Sequence, residues 1–281
     1  MRTHYYSALS PCGFHRLSYQ EWGDPANPRV LFCVHGLTRN SRDFDFLANI
    51  LSKVYRVICP DVVGRGHSDW LRDPQYYNVP QYVQDLAMLM SHLHVSDVDL
   101  LGSSMGGLIG MVMASMPLTP VRRLILNDVG PFISQSAVSG MIQGIEKQEY
   151  FSSLLALKHY FQQIYAAWGP MTDTQWDHLV KYDHRVLPDG RMTRLYDPAI
   201  AQPFQQYAIA DANLWEFWRH VQCPTLVLHG TSSQLLVADT IIQMQEHGKR
   251  VDVHEFPDCG HLPSLMIPSH VDVIEEWLRR N

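Results

Sequence analysis

The sequence predicts an α/β fold on a mostly parallel sheet, and three observations carry that prediction. Short apolar, β-branched runs alternate with helix-period patterns, as in strand–helix–strand units. Strand signals then stop after Pro131 for about 80 residues and resume near Thr225. A glycine-flanked serine, Ser104, stands where one of these strands turns into a helix. The bulk numbers agree with a globular chain: 281 residues, 46% hydrophobic and 18% charged, enough to bury a large core.

The elements follow in order. Phe14 to Trp22 alternates like a half-exposed edge strand. Val30–Val34 and Tyr55–Cys59 are continuous apolar runs, which suits strands buried on both faces. Asn78 caps a helix that begins near Pro80 and carries Val83, Leu86, Met90 and Leu93 on one side. Next come a strand over Val98–Leu101, a helix from about Met105 to Ser115, and a strand over Leu124–Asn127. Strands return at Thr225–His229 and Val251–Glu255, and a last helix after Pro268 presents Val271, Ile274 and Leu278.

Residues 132–213 therefore read as a helical insertion between two strands of one sheet, with 1–131 and 214–281 forming the core domain. Twelve of those 82 residues are Phe, Trp or Tyr, a higher share than elsewhere. Aromatics at that density either make the insertion's own core or roof an apolar pocket. The second use suits its place, because ligand sites in open α/β sheets lie beyond the carboxyl ends of the strands.

Composition removes several function classes. Lys+Arg 22 against Asp+Glu 28 gives a net charge of −6, which argues against a nucleic-acid partner needing clustered positive charge. No apolar run approaches the roughly 18 residues of a membrane span. The first residues, Met-Arg-Thr-His-Tyr-Tyr, lack the apolar stretch of a secretory signal, so a cytoplasmic location is expected. Cys12, Cys33, Cys59, Cys223 and Cys259 are odd in number with no CxxC spacing, and there is no HExxH; neither disulfides nor a metal is expected. Gly64-Arg65-Gly66 is not continued as a dinucleotide fingerprint, so no cofactor is implied. Oligomeric state is not legible.

Gly102-Ser103-Ser104-Met105-Gly106 matches G-x-S-x-G in the strand–turn–helix setting of a nucleophile elbow. The turn is so tight that only glycine fits two positions to either side of the serine. Serine is a weak nucleophile and needs a base. His261, in the loop after the last strand and just behind Gly260, can supply it. The oxyanion that forms needs two N–H donors: the Met105 amide after the nucleophile, and the Leu37 amide in the loop after Val30–Val34.

These segments resemble the α/β-hydrolase fold family and its small bacterial esterase-like members. The resemblance is carried by His35-Gly36-Leu37-Thr38, Asp61 to Ser68, Gly102 to Gly107, Asn127-Asp128-Val129-Gly130-Pro131 and Gly260-His261-Leu262-Pro263, and runs from about residue 14 to 280. It implies a mostly parallel eight-stranded sheet flanked by helices, with a helical cap inserted between the sixth and seventh strands. It says less about substrate, since the fold hosts many reactions.

One departure matters. Most of the family carries the triad acid after the strand that follows the cap, but here Gly230-Thr231-Ser232-Ser233-Gln234 has an amide at the expected place. An amide can hold an imidazole but cannot stabilise the imidazolium. The family's strand order puts Asp128, after the strand before the cap, at the same crevice as His261, and some members carry their acid there. Asp61 lies beyond the strand preceding His35, Asp239 suits a helix cap, and Asp258 is too near His261 along the chain. The expected catalytic set is Ser104, His261 and Asp128, acting on a small-molecule carboxylic ester through an acyl-enzyme. Two other readings stand beside it. One is a carbon–carbon bond hydrolase on the same machinery, for which no enolate-holding groups are identifiable in the sequence. The other is a non-catalytic ligand receptor on this scaffold, favoured only by Gln234. Ser104 at the nucleophile position excludes epoxide hydrolases and dehalogenases, which need a carboxylate there.

Overall fold

The computed structural model describes residues 1–146, 149–203 and 210–281, the side chains of 141–144 and 146 aside. Eight strands form one sheet: β1 (Arg2–Ser10), β2 (Gly13–Trp22), β3 (Val30–Val34), β4 (Arg56–Pro60), β5 (Val98–Ser103), β6 (Val121–Asn127), β7 (Thr225–Gly230) and β8 (Val251–Phe256). Their order is β1-β2-β4-β3-β5-β6-β7-β8. β1 and β2 pair antiparallel, as do β2 and β4; every other pair is parallel. This is the eight-stranded, mostly parallel sheet that the resemblance implies. β1 has no strand-like run in its sequence. Only every second residue from Tyr6 onward is buried, and two of those three are Ala8 and Ser10, so the hydrophobic period is faint.

The central strands are apolar throughout because both faces are covered. Val30, Phe32 and Val34 point into one core with Leu100, Leu124 and Val227; Leu31 and Cys33 point into another with Leu101, Ile125 and Leu228. A period of two in a fully buried strand divides its residues between two cores. The first core is closed by α2 (Val79–His92), α3 (Met105–Ser115), α7 (Trp215–His220) and α8 (Ala238–His247) through Leu86, Ile109, Trp218 and Met244. The second is closed by α1 (Asp45–Leu51) and α9 (Pro268–Arg280) through Leu47, Leu51, Ile274 and Leu278. Asn78 does cap α2, accepting the Gln81 N–H at 3.0 Å. Asp239 does not cap α8: Val237 is the cap residue, with no side-chain cap bond, and Asp239 is exposed in the first turn. No helix among the described residues is long and apolar enough to cross a membrane.

The segment between β6 and β7 leaves and returns together, because Phe132–Ile133 pairs antiparallel with Ala212–Asn213. It contains α4 (Gln135–Glu146), α5 (Leu154–Ile164), α6 (Asp173–Tyr182) and a short ladder of Arg185–Val186 on Met192–Thr193. Its aromatics serve both suggested uses. Phe151, Phe161, Trp168 and Trp176 form a core with Leu157, Leu179 and Val180, while Tyr160, Tyr165 and Trp168 also face a cavity below. Phe204 and Tyr207 of the aromatic count lie outside the described residues. The segment is seated on the sheet by polar contacts at several points. Asn40 Nδ2 donates to the Tyr182 carbonyl at 3.0 Å, Gln175 Nε2 donates to the Met266 carbonyl at 2.7 Å, and the Gly66 N–H donates to the Leu195 carbonyl at 3.0 Å.

Candidate active site

Strand register brings the candidate residues to one edge. Val34 is level with Gly102, Ser103 with Asn127, and Leu228 with Asn127 on the other side. The loops after β3, β5, β6 and β7 therefore emerge side by side. Ser104 follows β5 directly with φ 51° and ψ −115°, a backbone that costs an L-residue on the order of 1–3 kcal/mol and is held by its surroundings. Its N–H donates to the Asn127 carbonyl at 3.1 Å, and its carbonyl accepts from the Gly107 and Leu108 amides. The flanking glycines are demanded by backbone, not by side chains. A Cβ on Gly106 would sit 2.0 Å from the Val34 carbonyl oxygen, and one on Gly102 would sit 2.3 Å from the Gly106 backbone.

A cavity of about 270 Å³ opens over this edge, lined by Gly36, Leu37, Ser104 and His261 from the core and by Tyr165 and Arg194 from the segment above. His261 donates from Nδ1 to Asp128 Oδ2 at 2.6 Å, which leaves Nε2 as the lone-pair nitrogen of a neutral ring. Asp128 is fully buried at φ 53°. Besides the histidine it accepts from Ser233 Oγ at 2.6 Å and from the Gly230 N–H at 3.1 Å. A carboxylate buried this deeply is costly unless its lone pairs are met, and three donors meet them. Gln234 is exposed, and among the described residues its side chain is bonded only to the Ser232 carbonyl at 3.4 Å. The residue that the β7 loop does send to the imidazole's partner is Ser233. Among the described residues Asp258 makes no hydrogen bond or ion pair with His261, whose carboxylate partner is Asp128. Asp61 is used structurally, accepting from the Ser41 and His67 amides and from Ser18 Oγ.

The two candidate oxyanion donors sit beside the serine. A Cβ on Gly36 would lie 3.7 Å from Ser104 Cβ, so the β3 loop runs beside the elbow. Met105 is the first residue of α3, where N–H groups have no partner inside the helix. Neither the Leu37 nor the Met105 N–H is spent on another hydrogen bond among the described residues. His35 braces this loop. Its Nδ1–H donates to the Gly36 carbonyl at 2.7 Å and its Nε2 accepts the Val62 N–H at 2.9 Å. Burial pulls its pKa down to about 4, against the opposing pull of Asp61, so the ring is neutral as both bonds require.

Two positioning features had no signal in the sequence. Arg65, fully buried, donates from Nε to the Leu37 carbonyl at 2.8 Å and from Nη2 to Met105 Sδ at 3.6 Å, tying the two oxyanion candidates to one guanidinium. Above them Arg39, Asp183 and Arg194 form a buried ion cluster. Arg39 binds Asp43 through two hydrogen bonds of 2.9 and 2.6 Å and also Asp183, while Arg194 Nη2 reaches Asp183 at 3.1 Å and the Thr38 carbonyl at 3.1 Å. Burial alone would lower both arginines. The opposing pull, led by Asp43 for Arg39 and by Tyr165 and then Asp183 for Arg194, holds them above the ordinary range, so both stay charged. A larger cleft of about 770 Å³ lies at the amino ends of the strands among Arg29, Arg122 and Arg250, away from Ser104 and His261.

Comparison with known proteins agrees with this architecture. The family model described as alpha/beta hydrolase fold matches residues 29–265. A 3-hydroxybutyrate-oligomer hydrolase of Cupriavidus necator is 43% identical over 98% of this chain and 97% of that protein. A 2-hydroxymuconate semialdehyde hydrolase of a Pseudomonas species is 26% identical over 75% of this chain and 71% of that protein. The crystal structure of a Rickettsia typhi protein superposes with a TM-score of 0.95 at 35% identity, covering 100% of both chains.

Proposed function

The chain belongs to the α/β-hydrolase fold family and is a hydrolase, and from that premise we propose that it cleaves carboxylic esters of small to medium acyl chains through Ser104, His261 and Asp128. The observation that carries the reading is the pairing of His261 with buried Asp128 at the wall of a cavity that Ser104 also lines. The 43% identical relative supports the bond type, because oligomers of a hydroxy acid are joined through esters. Residues 132–213 act as the cap over the substrate, and 1–131 with 214–281 form the catalytic core.

The chemistry follows from the hydrogen bonds. With Nδ1–H committed to Asp128, His261 Nε2 takes the Ser104 proton as Oγ attacks the ester carbonyl carbon. The carbonyl oxygen gains the negative charge between the Leu37 and Met105 amides, groups that need no reorientation when the charge appears. The imidazolium returns its proton to the departing alkoxide, leaving an acyl-Ser104. Water then loses a proton to Nε2, attacks the acyl carbon, and the carboxylic acid leaves as Ser104 is reprotonated. Throughout, Asp128 stabilises the imidazolium without accepting its proton.

A second reading, hydrolysis of a carbon–carbon bond, draws on one observation. Arg194 and Tyr165 bring polar groups into the cavity from above, groups absent from the sequence argument, and the Pseudomonas relative is named for a semialdehyde substrate. The receptor reading gains nothing from Gln234, which is exposed and turned to its own loop. The test compares wild type with Ser104→Ala and His261→Ala on p-nitrophenyl butyrate, on a 3-hydroxybutyrate dimer and on a ring-fission vinylogous diketone. Ester turnover lost in both variants, with a phosphonate adduct on Ser104 in wild type, is the expected result. Turnover of the diketone alone would replace the ester reading, and no adduct and no turnover would leave only a binding scaffold.

A further inference from the structure

We infer that Arg194 recognises a free carboxylate on the substrate, so that the preferred esters are anionic, with the carboxylate a few atoms from the scissile carbonyl. The inference deepens the ester-hydrolase reading and rests on it for the identity of the reacting group.

Three observations carry it. Arg194 lines the cavity shared by Ser104 and His261, yet its side chain is only 8% exposed. Its Nε is buried with no hydrogen-bond partner, and Nη1 has none among the described residues; Nη2 alone makes the contacts to Thr38, Tyr165 and Asp183. A buried guanidinium with unspent N–H groups is costly unless something arrives to take them. The neighbouring arginine is not in this position. Arg39 gives its Nε and Nη2 to both oxygens of Asp43 and its Nη1 to Asp183, so its charge is already met by carboxylates. Arg194 has only a share of Asp183 and otherwise neutral oxygens. Of the two, it is the one left to accept a further anion, and the planar guanidinium suits a carboxylate better than any other common group.

Position sets the spacing. Arg194 Nη2 is 3.1 Å from the carbonyl of Thr38, the residue after Leu37, whose N–H faces the developing oxyanion in the proposed chemistry. At most about 7 Å of backbone separates the Leu37 N–H from that carbonyl oxygen, so the cation lies within about 10 Å of the Leu37 donor. An ester formed on a β-hydroxy acid fits that reach, since its carboxylate carbon is separated from the scissile carbonyl carbon by the ester oxygen and two carbons. A long neutral acyl ester offers nothing to Arg194.

The test uses matched pairs: 3-acetoxybutyrate against its methyl ester, and mono-p-nitrophenyl succinate against p-nitrophenyl valerate. The first pair puts the carboxylate on the alcohol part, the second on the acyl part. In wild type at least one pair is expected to show higher kcat/KM for the anion. In Arg194→Gln that ratio should fall about 10- to 100-fold, the range for a hydrogen bond to a charged group, and Arg194→Lys should recover part of it. A wild-type preference for the neutral ester in both pairs, or a ratio unmoved by Arg194→Gln, overturns the inference while ester turnover itself still stands. Should wild type cleave none of the four, the ester reading fails instead, and calorimetry of 3-hydroxybutyrate binding to wild type and Arg194→Gln decides the carboxylate site on its own. A Kd raised at least tenfold in the variant sustains it, and equal or absent binding in both sinks it. Circular dichroism of each variant separates lost recognition from lost fold.

Discussion

Replacing Asp128 with asparagine tests the proposed acid most directly. Asparagine has the same shape, so the buried site keeps its volume, but one of its two terminal groups becomes a hydrogen-bond donor. All three neighbours of Asp128, namely His261 Nδ1 at 2.6 Å, Ser233 Oγ at 2.6 Å and the Gly230 N–H at 3.1 Å, currently donate to it. The Gly230 amide cannot turn round, so it claims the single carbonyl oxygen and the new NH2 faces His261. The ring then shifts its proton to Nε2, where it can no longer take one from Ser104. The same exchange in a serine protease costs roughly 10⁴ in kcat, about 5.5 kcal/mol, and a loss of that order is expected here. Initial rates on p-nitrophenyl butyrate measure it, with urea unfolding as the control for stability. Ser233→Ala removes one of the three donors and should cost about tenfold, less than the asparagine, because the His261 bond survives. Gln234→Asp places a charge in solvent and should change kcat by less than about threefold. If Asp128→Asn keeps more than about a tenth of wild-type kcat, or if adding Gln234→Asp to Asp128→Asn restores turnover, Asp128 is not the acid and the β7 loop supplies it.

Three further outcomes are expected. Gly106→Ala should lose at least about 3 kcal/mol of stability in denaturant titrations, because its Cβ would stand 2.0 Å from the Val34 carbonyl and backbone must move to admit it. Asp183→Asn leaves Arg194 without a carboxylate and Arg39 with one fewer; breaking such a buried network costs about 3–5 kcal/mol, read as a fall in Tm of roughly 10 °C. His35, neutral when folded with a pKa of about 4, binds fewer protons than its unfolded form below pH 6.5, so its contribution to stability is whole above that pH and shrinks as the pH falls toward 4. Wild type should thus lose about 3 kcal/mol more than His35→Asn between pH 7 and pH 4 in urea unfolding; parallel losses in the two proteins would remove His35 from the account.

How much was legible depends on how local the cause is. The β5–Ser104–α3 turn could be read directly, since the glycine requirement arises within five residues of chain. The buried strands could be read because covering both faces leaves no room for polar residues. β1 is illegible in the sequence because an edge strand with Ala8 and Ser10 on its buried side carries little apolar contrast. Ser233 stands next to the position where the family's acid is expected, but a serine in a loop gives no hint that its hydroxyl turns inward.

From the residues alone came the α/β class, the strand succession, the insertion after Pro131 and the short list of side chains with chemistry to offer. These rest on periodicity and on turns, which are properties of neighbouring residues. What only the folded chain decided is which distant groups meet. Asp128 and His261, 133 residues apart, touch because β6, β7 and β8 lie side by side in that order, with β7 and β8 ending level two residues beyond β6. Arg39, Asp183 and Arg194 share one buried cluster because α6 and the short ladder after it settle over the β3 loop. Charges brought together by packing leave no trace in spacing, so only the three-dimensional arrangement could reveal that one of those arginines still has N–H groups to give.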